Sequence, residues 1–166
     1  MSKDYMTSGL AAWIAFSKPE GVAVTTVNPW ESAWGKNDQF APVDDVGGVA
    51  LFRKQFDVTN LKSARIDVTA LGVFDLWCNG RRVGRLDENG VEVFDELKPG
   101  WTDYRERVLY YSYDLAPYLV EGTNTLLCAV APGWWNGRIS LRTYGENRVA
   151  MLAAIHLLDD AGDQTI

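Results

Sequence analysis

Two loops and one turn carry the side chains best suited to binding a small polar ligand. The loops are Pro99-Gly100-Trp101-Thr102-Asp103-Tyr104-Arg105 and Pro132-Gly133-Trp134-Trp135-Asn136-Gly137-Arg138, and the turn is Asn79-Gly80. A sugar has an apolar ring face and a rim of hydroxyl groups, so its site needs an aromatic platform beside amide, carboxylate or guanidinium groups. We expect a platform from Trp101, Trp134 or Trp135, with Tyr104 nearby, and hydrogen bonds to the hydroxyl groups from Asn79, Asp103, Asn136 and Arg138.

The same loops are open to a structural interpretation. A tryptophan beside glycine in a loop often closes the end of a sandwich core or packs against a neighbouring domain. The chain has seven Trp, seven Tyr and six Phe among 166 residues, and such rings suit sandwich cores as well as sugar sites. Composition alone does not choose between the two.

Enzymatic motifs are almost absent from the sequence. It contains no G-x-S-x-G elbow, no phosphate-binding P-loop and no G-x-G-x-x-G turn after a strand. The single histidine, His156, cannot build a metal cluster and reads as a packed or surface imidazole. The two carboxylates of a glycosidase must flank the scissile bond at a defined separation. The carboxylates of this sequence lie mainly in turns and on polar strand faces, where solvation explains them. We expect no catalytic residue in this chain.

The remaining composition excludes several classes of partner and cofactor. A net charge of -6 argues against nucleic acid, and no apolar stretch reaches the ~18 residues of a membrane span. Cys78 and Cys128 fall in predicted strands and read as buried reduced thiols. Residues 87–90, Asp-Glu-Asn-Gly, resemble part of a calcium loop but lack its distal bidentate Glu. We therefore expect no cofactor, with calcium as the alternative.

The chain from Val49 onward shows the period-two pattern of β-strands. Residues 64–71, for example, place Ile66, Val68 and Ala70 on one face and Arg65, Asp67 and Thr69 on the other, which predicts a half-buried strand. Six further segments have this pattern: VALFRKQFDV, VFDLWC, RVLYYSYD, NTLLCAVA, RISLRTY and VAMLAAIHLL. Turn signals separate them, so the fold class is all-β, an antiparallel β-sandwich or jelly roll. The one helical signal is DLAPYL, in which Asp114 can cap a single turn.

The two ends of the chain differ from its centre. Residues 1–48 are expected to add an N-terminal strand and a long, aromatic-rich loop to the sandwich formed by residues 49–166. The final segment, VAMLAAIHLLDDAGDQTI, predicts a strand, a polar turn and a second strand that stops early. Because natural sheets avoid such an unpaired edge, we expect the domain to be C-terminally truncated.

The motifs in this order resemble the N-terminal β-sandwich domain of bacterial α-L-rhamnosidases. The resemblance rests on TALGVFDLWCNGRRVG (69–84), on LKPGWTDYRERVLYYSYDLAPYLVEGTNTLLCAVAPGWWNGR (97–138) and on the final hairpin (149–166), which follow one another in this order and comprise 76 residues. The pair PGWTDY and GWWNGR favours this family over the sugar-binding sandwiches of β-galactosidase-like enzymes, which share single pieces of the pattern. The resemblance implies a galactose-binding-domain-like sandwich for this chain.

The resemblance implies an accessory, carbohydrate-binding domain of an inverting glycoside hydrolase that removes terminal L-rhamnose. In that family the sandwich precedes an (α/α)6-barrel that carries the catalytic acids, and this barrel would be a partner within the parent chain. Some related sandwiches bind rhamnose through calcium, with acidic and amide ligands near the position that matches Cys78-Asn79. This sequence departs from that pattern, because a cysteine precedes Asn79. The alternative is a structural domain that docks on the barrel or on a second subunit. Because MSKDYMTSG lacks a secretory signal, we expect the bacterial cytoplasm.

Overall fold

The computed structural model describes residues 12–15, 49–104, 106–135, 138–139, 142–143 and 149–166, and these form an antiparallel β-sandwich. In chain order the strands are β1 (Ile14–Ala15), β2 (Ala50–Val58), β3 (Ser63–Leu71), β4 (Val73–Cys78), β5 (Arg81–Arg82), β6 (Arg85–Leu86), β7 (Glu92–Val93), β8 (Tyr111–Asp114), β9 (Gly122–Ala131), β10 (Arg138–Ile139), β11 (Arg142–Thr143), β12 (Ala150–Asp159) and β13 (Gly162–Thr165). A short 3₁₀ helix covers Ala116–Tyr118. No helix among the described residues is long and apolar enough to cross a membrane.

Two antiparallel sheets enclose the core. One has the order β1-β12-β3-β8, with β13 pairing along the same edge of β12 as β1, and the other has the order β2-β9-β4-β5. Alternate residues point inward, as the sequence pattern predicts. The core is formed by the buried side chains of Ile66, Val68, Ala70, Phe74, Leu76, Cys78, Tyr113, Leu115, Leu126, Cys128, Val130, Ile155 and Leu157.

Between β3 and β4 the chain crosses from one sheet to the other within a single residue, Gly72. Leu71 ends β3 in the first sheet, and Val73 begins β4 in the second. Gly72 has φ +138°, and a Cβ at this position would lie 2.4 Å from the carbonyl oxygen of Ala131. Only glycine fits a corner with this backbone conformation and this close approach.

The prediction that β3 is polar and solvated on its outer face is wrong for two of its residues. Asp67 and Thr69 are buried, while Arg65 is exposed. The Asp67 carboxylate accepts hydrogen bonds from Ser112 Oγ (2.5 Å) and Arg65 (3.0 Å) and lies 3.2 Å from His156 Nε2. Thr69 Oγ1 donates to the carbonyl oxygen of Leu109 at 2.6 Å. These partners satisfy groups that would otherwise be costly to bury.

Several local predictions are confirmed. Asp114 caps the 3₁₀ helix, since its Oδ1 accepts the N–H of Ala116 at 3.0 Å, and Cys78 and Cys128 are buried free thiols. The final hairpin is β12 and β13, and its pairing extends to Ile166, which exchanges two 2.9 Å backbone hydrogen bonds with Ile155. His156 is partly buried on β12, with Nδ1 3.1 Å from Thr165 Oγ1.

One predicted strand is wrong, and another predicted segment lies mostly outside the residues that the structure describes. RISLRTY is not one strand: it holds the two short strands β10 and β11, which pair with each other in the register Arg138↔Thr143. A single strand was expected because the segment alternates, and alternation does not show where a chain reverses. Of the predicted N-terminal strand and loop, only residues 12–15 are described, and they contain β1.

An amide network closes the end of the sandwich at the turn between β4 and β5. Asn124 is fully buried, and its Nδ2 donates to the carbonyl oxygens of Val120 and Gly122, both at 2.8 Å. Its Oδ1 accepts from Val120 N at 2.8 Å and from Asn79 Nδ2 at 2.7 Å. Asn79 also donates to Tyr118 O and accepts from Thr125 N, both at 2.9 Å. These bonds connect β9, the β4–β5 turn and the 3₁₀ helix.

We expect Asn124→Ala to lower the free energy of unfolding by about 3 kcal/mol or more, because it leaves several buried donors and acceptors without partners. Urea denaturation measures this loss. The matched control is Gln55→Ala, which removes an exposed amide with one 3.4 Å hydrogen bond and should cost less than about 0.5 kcal/mol. A loss below about 1 kcal/mol for Asn124→Ala would contradict the role given to the network.

Both thiols should be unreactive in the folded protein. Burial raises the pKa of Cys78 to about 11 and that of Cys128 to about 12, so at about pH 8 the thiolate fractions are roughly one in a thousand and one in ten thousand. Labelling with a disulfide reagent should therefore be very slow in buffer and fast for both cysteines above the guanidinium unfolding transition. Rapid modification of either native thiol would show that it is not buried as described.

Candidate functional site

Most of the aromatic residues proposed for the site come together at one end of the sandwich. We define the tryptophan loop as residues 94–110, between β7 and β8. Its backbone is joined to the start of β4 by a 2.8 Å hydrogen bond from Phe74 N to Lys98 O. The second loop follows Ala131 of β9, which pairs with Val73 at the same end of β4.

Trp101 is the most exposed aromatic side chain of the predicted set. It exposes 52% of its surface, and the neighbouring Asp103 is also exposed. Below them the loop is closed by a 2.6 Å hydrogen bond from Thr102 Oγ1 to Arg107 O, and by the N–H groups of Glu106 and Arg107, which donate to Asp103 O at 2.9 and 3.0 Å. A hydrogen-bonded loop thus presents an exposed indole ring and, two residues along the chain, an exposed carboxylate.

Tyr104 and Trp135 join the two loops. Their ring centroids are 5.3 Å apart at 82°, an edge-to-face contact, and Tyr104 is buried while Trp134 and Trp135 are partly exposed. Gly133 allows the second loop to lie against β4: its φ is +51°, and a Cβ there would be 2.4 Å from Val73 Cγ2. Tyr104 and Trp135 are therefore placed to support the site rather than to offer a free ring face.

Asn79 lies at the opposite end of β4 from the tryptophan loop. Five residue steps separate Asn79 from Phe74, the residue that bonds the Lys98 backbone, and five steps of extended chain span about 17 Å. The Asn79 amide is also used by the amide network. The structure therefore does not bring Asn79 together with Trp101. Asn136 and the side chain of Arg138 lie outside the described residues.

Several residues at the tryptophan end were not singled out from the sequence. Leu97, Leu109 and Tyr110 are exposed by 60%, 46% and 49%, and the Leu109 side chain lies beside Gly100, where a Cβ would be 3.9 Å from its Cδ1. These residues extend the surface around Trp101 with apolar area. The sequence signal that could have identified them is the apolar run 108–111, but such a run is equally typical of a β-strand.

Calcium does not fit the side chains at Cys78 and Asn79. Calcium takes hard oxygen ligands, whereas Cys78 is a buried thiol whose pKa is raised to about 11 by burial. Both amide hydrogens of Asn79 donate within the fold, and its oxygen accepts Thr125 N–H.

The second calcium candidate is a turn. Asp87 Oδ1 accepts the N–H groups of Asn89 (2.9 Å) and Val91 (2.8 Å), and these hydrogen bonds lower the pKa of Asp87. Within the described ranges no three His, Cys, Asp or Glu side chains are grouped closely enough to hold a metal ion.

Comparison with known proteins places this fold and these motifs in one family. The family model of the α-L-rhamnosidase N-terminal domain matches residues 59–166. An α-L-rhamnosidase of Streptomyces avermitilis is 37% identical over 131 residues, an alignment that covers 76% of this chain and 12% of that protein. An α-L-rhamnosidase of an Alteromonas species is 36% identical over 89 residues, or 53% of this chain and 9% of that protein.

Solved structures give the same result. The native α-L-rhamnosidase of Aspergillus terreus has a TM-score of 0.63 and 30% identity, covering 75% of this chain and 14% of that one. The Streptomyces avermitilis α-L-rhamnosidase, solved in complex with L-rhamnose, has a TM-score of 0.60 and 38% identity, covering 72% and 11%.

The chain spans between 9% and 14% of the length of these relatives. The fold, the order of the motifs and the extent of the family match agree with one another. The chain belongs to the family of α-L-rhamnosidase N-terminal domains.

Proposed function

We propose that this domain is an accessory carbohydrate-recognition domain of an α-L-rhamnosidase and that it contacts L-rhamnose or a rhamnoside through Trp101. The observation that carries the proposal is a half-exposed indole ring on a hydrogen-bonded loop, with an exposed carboxylate, Asp103, two residues along the chain. An indole face suits the apolar face of a sugar ring, and a carboxylate accepts hydrogen bonds from two neighbouring hydroxyl groups. A similar protein solved with L-rhamnose supports the choice of sugar.

The rest of the proposal concerns the parent protein. The reaction, removal of terminal L-rhamnose by a catalytic barrel, is assigned to the part of the parent chain outside this sequence. The proposed role of this domain is to hold substrate, not to cleave it. We also propose the bacterial cytoplasm as the location of the parent protein.

A second candidate function follows from the apolar residues around Trp101. Leu97, Leu109 and Tyr110 are exposed at the same end of the domain, and exposed apolar residues that cluster often mark a protein interface. In this alternative the tryptophan loop docks on the catalytic barrel or on a second subunit and binds no sugar. The two candidates differ in the residue they depend on, because sugar stacking needs the indole ring and docking also needs Leu109.

Titration of the domain with L-rhamnose tests the first candidate. A single shallow site buries few ligand atoms, so we expect a Kd in the millimolar range, read from tryptophan fluorescence and NMR shifts. Trp101→Ala should abolish the response, whereas Leu109→Ala, the matched control, should change the affinity by less than about twofold.

A folded wild-type domain that gives no response up to tens of millimolar L-rhamnose, well above the expected Kd, would reject sugar binding. Binding that survives Trp101→Ala would move the site elsewhere. Docking would be favoured if both substitutions weakened association with the purified catalytic region of the parent and neither changed the affinity for L-rhamnose.

A further inference from the structure

Lys98 is a buried cation at the base of the tryptophan loop. It exposes 1% of its surface and is the one lysine or arginine that is buried among the described residues. Burying an ammonium group is costly unless a charged partner is present, so a buried lysine in a loop calls for a physical reason.

The surroundings of the Lys98 ammonium group are specific. Its Nζ lies 3.0 Å from Asp75 Oδ1 on β4, and 5.2 and 5.4 Å from the ring centroids of Phe74 and Tyr113. One carboxylate and two aromatic faces thus hold the charge, and the two rings belong to opposite sheets. Lys98 connects the loop to both layers of the sandwich.

Two more ion pairs fix the same stretch of backbone from its exposed side. Glu96 Oε1 lies 3.0 Å from Arg82 Nη2, and Arg82 Nε lies 2.6 Å from Asp75 Oδ2, the carboxylate that also binds Lys98. Asp95 accepts a hydrogen bond from Arg85 at 3.0 Å and one from Tyr113 Oη at 3.3 Å. We call the pairs Lys98–Asp75, Glu96–Arg82 and Asp95–Arg85 the loop clamp.

The clamp ends where the exposed platform begins. Pro99 is fully buried, Gly100 N donates to Leu97 O at 2.9 Å, and Trp101 then exposes half of its surface. Leu97 has φ +54°, a left-handed conformation unfavourable for leucine, while its side chain is largely exposed. Its own packing does not explain that conformation, whereas the fixed residues on both sides do.

We propose that Lys98 is the positioning residue of the site, and that the loop clamp centred on it holds the Trp101 indole in the exposed orientation that sugar stacking requires. The inference rests on the proposed function for its sugar readout. A platform fixed before binding avoids the entropy of ordering the loop, so affinity should depend on Lys98 although Lys98 does not reach the ligand.

The test compares Lys98→Met with Lys62→Met, the same substitution at an exposed lysine paired with Asp160. Lys98→Met does not strand the Asp75 carboxylate, because Arg82 still pairs with it. Three quantities are measured on the whole chain: the thermal midpoint, the NMR signal of the Trp101 indole N–H, assigned with Trp101→Phe, and the Kd for L-rhamnose. Lys98→Arg, which keeps the charge, is the rescue variant.

We expect Lys98→Met to shift or broaden the Trp101 signal and to weaken L-rhamnose binding about five- to tenfold, with Lys62→Met unchanged in both and Lys98→Arg closer to wild type. A folded Lys98→Met protein with an unchanged Trp101 signal and affinity would overturn the proposal. Should Lys98→Met not fold, the double variant Asp95→Asn/Glu96→Gln loosens the same backbone from outside, and an unchanged Trp101 signal there would equally overturn it.

The outcome separates the two proposals. If the wild-type domain does not bind L-rhamnose, the proposed function is rejected. The effect of Lys98→Met on the Trp101 NMR signal then still tests whether Lys98 positions the indole ring. A shifted Trp101 signal in Lys98→Met with no change in measurable affinity would limit Lys98 to a structural role and overturn its assignment as a positioning residue.

Discussion

A positive charge can be buried only with compensating partners, and this domain meets that requirement for Lys98 with the Asp75 carboxylate and the faces of two aromatic rings. Asp75 is the third residue of β4, so its ion pair with Lys98 fixes the loop to the sheet at one point. The placement of Trp101 depends on that point, because only Pro99 and Gly100 intervene. The placement of the platform thus depends on an ion pair in the interior, which the Glu96–Arg82 and Asp95–Arg85 pairs support from the exposed side.

The domain has two differently built ends. At one end side-chain amides and backbone groups satisfy one another around Asn124, and the side-chain amide atoms of Asn79 and Asn124 all have partners within the fold. At the other end Trp101 and Asp103 are exposed. The contrast explains why Asn79 and Trp101, which look alike as surface motifs in the sequence, have different surroundings: one stabilises the sandwich, and the other is available for contact.

The sequence pattern was sufficient for the strands and insufficient for their arrangement. Alternation identifies the inward-facing residues of β3 and β4, and the Asn79-Gly80 turn and the Asp114 cap follow from local chemistry. Period two gives the face of a residue but not the end of the sheet at which a turn lies, so Asn79 was grouped with the tryptophans. Burial of Asp67 and Lys98 also escaped prediction, because charged residues are solvated by default and their partners, Ser112, His156 and Asp75, are distant or uninformative in sequence.

The corner at Gly72 has a mechanical consequence for the domain. The flanking residues are paired in different layers, Leu71 with Ala150 and Val73 with Ala131, so one covalent step links the hydrogen-bond registers of both sheets. The layers cannot slide past each other at this edge without breaking pairs on both sides of the corner. A load that enters at Phe74, where the tryptophan loop is bonded, therefore meets hydrogen-bonded pairs of both sheets within three residues.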